Sequence, residues 1–326
     1  MQTDRTPPSP LAGALAPFRA VSPALVALFL SMLALAALAL LGLLLDPRVI
    51  TGAPAWSKPL KFALSTAAYA LGFAWLLGHL QARARVRRAL AGVTVAVLGI
   101  ELPLIFLQAA RGTQSHFNLS SPFNLAVFNV MGIAIAVLWV VQLVTAALLL
   151  RQRFDDAALG WALRLGMALT ALGAAVGWLM VVPSPAQVEA LGRGVGQLSG
   201  AHTVGGADGG PGMPLTNWSL LHGDLRAAHF VGLHALQLIP LLALLLQRIP
   251  SLGPARRARL VLAFAASYAG LFLLLLWQAL RGEPLAAPGA TTLAALLLWL
   301  ALTAAGAAIA ARVQKGPAPL AHGALR

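Results

Sequence analysis

Apolar runs of twenty residues and more recur along this chain, and nothing else in the sequence limits the fold as strongly. A run longer than about 18 apolar residues crosses the hydrocarbon of a bilayer as a helix. The pattern predicts eight such helices, at roughly 22–45, 60–80, 89–110, 124–150, 161–182, 226–247, 260–280 and 291–311. Hydrophobic residues make up 59% of the 326 and charged ones only 10%, more apolar surface than a water-soluble chain of that length has to bury. The expected fold is all-α: a polytopic membrane helix bundle with no soluble domain, whose first partner is the lipid bilayer.

The formal net charge of +14 does not point to nucleic acid. Arg5 and Arg19, then Arg83, Arg85, Arg87 and Arg88, then Arg151 and Arg153, then Arg248, Arg256, Arg257 and Arg259, and last Arg312, Lys315 and Arg326 all fall on one side of the eight spans. The other side holds scattered Arg48, Lys58, Lys61, Arg111, Arg193, Arg226 and Arg281, offset by Asp46, Glu189, Asp208, Asp224 and Glu283. That is a distribution of topology determinants rather than a basic groove, and it places both termini in the cytoplasm. An even number of spans agrees. No cysteine is present, which excludes disulfides, thiolate metal ligands and a thiol nucleophile.

The first run, Val21–Leu45, is too long for the core of a cleaved signal peptide and lacks a small-residue cleavage site, so it reads as a retained helix. Heavy use of Ala, Leu, Arg and Gly resembles GC-rich bacterial coding and makes a bacterial inner (plasma) membrane the expected location. The chain divides into a disordered cytoplasmic tail at 1–20, a four-helix half at 21–150, a second half at 151–312, and a second tail at 313–326. The second half contains an outer loop, 183–225, whose glycine-rich middle, Gly192 to Gly212, is expected to be mobile. Those glycines are no phosphate-binding loop, since no Gly-Lys-Ser/Thr follows them.

An internal repeat is legible at equivalent points of the topology. Gln108-Ala-Ala-Arg-Gly112 closes the third helix and Gln278-Ala-Leu-Arg-Gly282 the seventh, 170 residues on. Lys61 and Arg226, near the start of helices two and six, are 165 residues apart, with Trp56-Ser57 and Trp218-Ser219 ahead of them. Four helices per half gives both halves the same orientation, a parallel 4+4 repeat about an axis along the membrane normal. The competing reading is that Trp, Arg and Gly gather at any interfacial helix end.

Within this apolar frame, ionisable residues mark places where something happens, because they are costly in hydrocarbon. Helix six carries His229, His234 and Gln237, and helix three carries Glu101. At about 1.5 Å per residue, Glu101 lies roughly 15 Å below Arg111 and His234 roughly 12 Å below Arg226, so both are expected at a similar level, approached from outside. A partner imidazole or an acquired proton would reduce the cost of the carboxyl. Glu101 with His229 or His234 is therefore the expected proton or ligand site.

An outer vestibule is expected from Trp56, Lys58, Lys61, Gln108, Arg111, His116, Asn118, Asn217, Trp218, His222, Asp224, Arg226, Gln278 and Arg281, whose cations would attract an anionic solute. The alternative for those cations is snorkelling to lipid headgroups. His79, His116 and His202 read as solvated loop residues. His229 and His234, five apart, do not form the i, i+4 pair of a zinc clamp. If a metal is held, its ligands come from His222, His229, His234 and Glu101.

Three functional classes follow. The first is a proton-coupled transporter or permease for a small solute, with a small-molecule ligand as partner. The second is a membrane-embedded redox enzyme carrying haem or a divalent metal, although the sequence requires no cofactor. The third is a structural or assembly subunit whose polar residues only fix helix packing. Ser219, His222 and Asp224 have the composition of a hydrolytic triad but sit together in one loop, and no catalytic residue is assigned. Asn118-Leu-Ser120 and Asn217-Trp-Ser219 match the glycosylation pattern by coincidence in a bacterial chain.

Overall fold

The computed structural model describes residues 10–312. The expected tails at 1–9 and 313–326 lie outside the described residues. Residues 10–20 were expected to belong to a disordered tail, but Pro10–Val21 is a helix, α1, lying against α2 (Pro23–Leu45) and α3 (Ser57–His79). Its Leu15 is buried there, which supplies the apolar contact a disordered segment lacks.

The remaining long helices are α4 (Ala84–Ala110), α5 (Pro122–Arg151), α6 (Ala157–Met180), α10 (Pro254–Leu280) and α11 (Ala290–Ala311). Among the described residues, seven helices are long and apolar enough to cross a membrane. A bent pair, α8 (Leu225–Leu233) and α9 (Ala235–Gln247), makes an eighth span if counted as one. The chain is a multi-pass helical membrane protein.

Local chemistry sets the helix ends. Ser22-Pro23, Ser121-Pro122 and Ser184-Pro185 each place a hydroxyl at the N-cap and proline in the first turn, the last opening the short outer helix α7 (Pro185–Gly192). The two Gln-Ala-x-Arg-Gly sequences close their helices identically. Thr113 N donates to Gln108 O and Gly112 N to Ala109 O, while Glu283 N donates to Gln278 O and Gly282 N to Ala279 O. Both glycines take the left-handed conformation, φ +72° and +73°, that this closure requires.

The eighth span is broken at its centre. α8 and α9 meet at a bend of 42° around His234, and Thr170 of α6 repairs the backbone there. Its hydroxyl donates to Leu233 O at 3.3 Å and accepts from Leu236 N at 3.1 Å. Tyr268 of α10 donates to Val231 O at 2.6 Å. These bonds are what make an interrupted helix tolerable away from water. Gly173 and Gly232 let α6 and α8 cross with their backbones in contact, and a Cβ on either would lie 2.4–2.5 Å from the other's backbone.

Cross-links gather the arginine-rich turns at one end: Gln81 N donates to Gln152 Oε1, Gln247 and Arg257 both reach Asp156, and Arg259 donates to Arg312 O. At that end Arg164 donates to Leu149 O and Gln152 O and lies over the Phe154 and Trp161 rings, neutralising the C-terminal carbonyls of α5.

The opposite end carries a lid, residues 181–224. Expected to be mobile around its glycines, this loop is instead tied down by hydrogen bonds. β3 (Thr203–Val204) pairs antiparallel with β4 (Gly223–Asp224), Leu119 N donates to Gln197 O, and Ser199 N to Phe117 O. A second small ladder, β1 (Val49–Ile50) with β2 (Ala53–Pro54), turns through Thr51 and Gly52, both at positive φ.

Thr170→Val keeps the size of the side chain but strands two backbone groups at the break. It is expected to cost about 1–3 kcal/mol, read as a lower unfolding midpoint in detergent, with Thr170→Ser close to wild type.

Candidate functional site

Glu101 is 1% exposed, and neither carboxyl oxygen has a hydrogen-bond partner. The ionisable group nearest to it is not on helix six. His116, from the turn between α4 and α5, places Nε2 3.7 Å from Glu101 Oε1. On the other side of the same ring, Nδ1 lies 3.1 Å from Lys58 Nζ and 2.9 Å from Ser115 Oγ. An ammonium can only donate, so Nδ1 accepts and the neutral ring carries its proton on Nε2, facing Glu101. Lys58, His116 and Glu101 thus form a line from the first turn of α3 into the bundle.

Burial first, and then the positive charge of Lys58, hold the His116 imidazole well below its ordinary pKa. His116 and His202, read from the sequence as solvated, are three-quarters buried or more, with side-chain exposures of 23% and 21%. His202 belongs to the lid, and the turn carrying His116 packs against it through Phe117. Phe117 lies edge-on to both rings, at 6.0 Å from His116 and 5.0 Å from His202.

His202 is held by Asp208, whose carboxylate accepts from His202 N, Thr203 N and Thr203 Oγ1 and lies 2.6 Å from His202 Nδ1. Burial alone would raise the Asp208 pKa, but the hydrogen bond and charge of His202 outweigh it and hold the carboxyl below the usual range. Sequence reasoning passed over Asp208 and Ser115. The Asp208-to-His202 spacing of six residues in a turn was the available signal.

The expected pairing of Glu101 with His234 is not formed. His234 sits at the break, its ring tilted 58° against Phe230 of the same span with centroids 4.3 Å apart, and beside Gln237. The 42° bend and the five-residue offset carry it to a different face from His229. His229 Nδ1 lies 2.7 Å from Gly173 O, a carbonyl that can only accept, so Nδ1 is protonated. Gln237 reaches toward Gly72 of α3, and its Oε1 is buried without a partner.

The vestibule residues separate into two sets. Lys58, Lys61 and Arg226 are close enough to interact with one another. Lys61 donates to Thr216 O, while Arg226 donates to Asn217 O and to both oxygens of Asp224, the N-cap of α8. Two cations thereby fasten the lid to the bundle. Arg111 and Arg281 do not join them. Arg111 binds Gln108 and Asn124 and lies over Phe123, and Arg281 binds Glu283 and lies over Trp277.

The other expected vestibule residues serve local structure. Gln108 donates to Asn124 and Gln278 to Pro284 O. Trp56 donates to Asp46, a carboxyl that Arg48 first and Trp56 second hold below the ordinary range. Asn118 knots the α4–α5 turn through Thr113, Gln114 and Ser120. Trp218 packs on Phe230, and the His222 ring lies against Gly206.

Ser219, His222 and Asp224 make no triad. Ser219 Oγ accepts from the Leu221 and His222 amides, and Asp224 is occupied by Ser219 N and Arg226. Among the described residues no group of three or more His, Asp or Glu is placed to hold a metal ion, so His222, His229, His234 and Glu101 are not brought together as ligands.

No protein-family model, no curated protein and no solved structure matches this chain.

Two outcomes follow. Asp208→Ala removes the anchor of the lid, and hydrogen exchange of the amides at 200–205 is expected to quicken at least tenfold, as losing about 1.5–3 kcal/mol of charge-assisted bonding implies. His116 stays neutral in the folded protein while the unfolded chain takes up a proton below about pH 6.5. Its contribution to stability is therefore complete above that pH and declines as the pH falls. Unfolding midpoints are expected to drop between about pH 7.5 and pH 5.5, less steeply in His116→Asn.

Proposed function

We propose that this protein is a proton-coupled transporter or permease for a small solute, with the Glu101 carboxyl as the group that takes up and releases the coupling proton. The observation carrying this reading is a carboxyl sealed inside a helical bundle with no hydrogen bond and an imidazole 3.7 Å away. A carboxylate left there uncompensated would cost several kcal/mol. Protonation removes the charge, and His116, bonded in turn to Lys58, is the neighbour through which a proton can arrive or leave. A structural subunit has no use for an unpaired acid at that position, since Gln or Leu would pack there at lower cost.

The remaining parts of the reading fit the same chemistry. By the positive-inside rule the lid faces outward and both termini lie in the cytoplasm of a bacterial inner membrane. Lys58, Lys61 and Arg226 beneath the lid favour an anionic solute. The identical closures of α4 and α10, and matching neighbours in the two halves (α2 on α3 as α6 on α8 and α9, α4 on α5 as α10 on α11), support the parallel 4+4 repeat. Alternating access would then require Lys61–Thr216 and Arg226–Asn217 to part so that the lid opens.

In proteoliposomes with an imposed pH gradient, uptake from a panel of small radiolabelled organic anions is expected for at least one of them. Glu101→Gln should reduce the gradient-driven component by a hundredfold or more while leaving equilibrium exchange of the same anion within tenfold. Gradient-driven uptake that survives Glu101→Gln would remove the carboxyl from the mechanism.

A further inference from the structure

Five exposed arginines share one corner of the arginine-rich end. Arg83, Arg85 and Arg88 come from the N-cap and first turns of α4, and Arg151 and Arg153 from the end of α5 and the turn after it. The two groups meet through Gln152, which Arg151 and Arg153 flank. Its Oε1 accepts from Gln81 N at 2.8 Å, and its side-chain amide donates to His79 O at 2.7 Å. Arg83 follows Gln81 by two residues, and α4 packs against α5.

Acid does not balance this corner. Among the described residues, none of the five arginines forms an ion pair. Asp156 is engaged elsewhere, as the N-cap of α6 and as the partner of Gln247 and Arg257. That leaves Asp155 against five cations. α10 also begins with arginines, but there Arg257 has Asp156 and Arg259 has Arg312 O. Guanidinium groups gathered without carboxylates repel one another and concentrate anions from their surroundings.

The neighbouring surface decides which anion. Val86, Val93, Ile100 and Leu107, seven residues apart, make an exposed apolar stripe down α4 that starts among these arginines. Leu150, directly before Arg151, is 66% exposed. A soluble anion gains nothing from that apolar surface. A phospholipid covers both parts, with its phosphate in reach of the guanidinium donors and its chains along the stripe.

We propose that this corner is a binding surface for anionic phospholipids, whose headgroups lie among Arg83, Arg85, Arg88, Arg151 and Arg153. Neutral zwitterionic lipid fills the same place less well, because its own ammonium offsets the phosphate. The proposal requires only that the chain span the membrane, and it is independent of Glu101.

The chain has no cysteine, so a single Ala89→Cys substitution places a fluorophore on the exposed face of α4 beside Arg88. In mixed vesicles, brominated phosphatidylglycerol is expected to quench it at about a fivefold lower mole fraction than brominated phosphatidylcholine. A fluorophore at Leu297→Cys, on the exposed side of α11, should distinguish the two lipids by less than twofold. Adding Arg85→Gln, Arg88→Gln, Arg151→Gln and Arg153→Gln should bring the preference at position 89 below twofold. If that combination does not yield folded protein, Arg151→Gln with Arg153→Gln should at least halve it. Excess glycerol phosphate, the headgroup without its chains, should leave the quenching unchanged.

Equal quenching by the two lipids at position 89 overturns the proposal. So does a preference that survives loss of the arginines, or one that is as large at position 297. Displacement by glycerol phosphate would make the corner a site for soluble phosphate and overturn the lipid assignment.

Discussion

A carboxyl group cannot be sealed in hydrocarbon without either a proton or a partner, and that constraint organises the lid end of this protein. Glu101 is enclosed by α4 and its neighbours, and among the described residues its close ionisable contact comes from a turn, through His116. That turn has to be held still for the contact to exist. Phe117 O and Leu119 N fix it to the lid, and Asn118 knots it from within. The lid in turn depends on Asp208 and His202 at its centre and on Lys61 and Arg226 at its edge. Loops of this kind are usually where a membrane protein is least ordered. Here the loops supply the partner that the helices do not.

The second constraint is the broken span. Interrupting α8 and α9 at His234 releases backbone groups in a region without water, and Thr170 and Tyr268 take them up. Glycine at 173 and 232 brings the two helices close enough for a short hydroxyl to reach. The break also separates the two histidines of this span. It leaves His229 bonded to Gly173 O of α6 and His234 beside Gln237.

The spans were legible in the sequence because their signal is length and apolarity, which need no tertiary information. Their ends were less so. α4 and α10 begin at Ala84 and Pro254, five and six residues ahead of the apolar runs, because exposed arginines can occupy a helix's first turns. Glu101 stood out for the same reason the spans did, as an acid within an apolar stretch. Its partner did not. Lys58 and His116 are 58 residues apart and meet only through the folded turn, and a histidine in a polar loop gives no sign of burial. Depth alone suggested His234, but depth says nothing of rotation or of a bend.

The central claim is that Glu101 answers to His116 and not to the histidines of the broken span. The infrared carboxyl band assigned by its loss in Glu101→Gln tests this most directly. The account predicts that the band shifts in His116→Asn and stays in place in His234→Asn. A shift in His234→Asn with none in His116→Asn would contradict it.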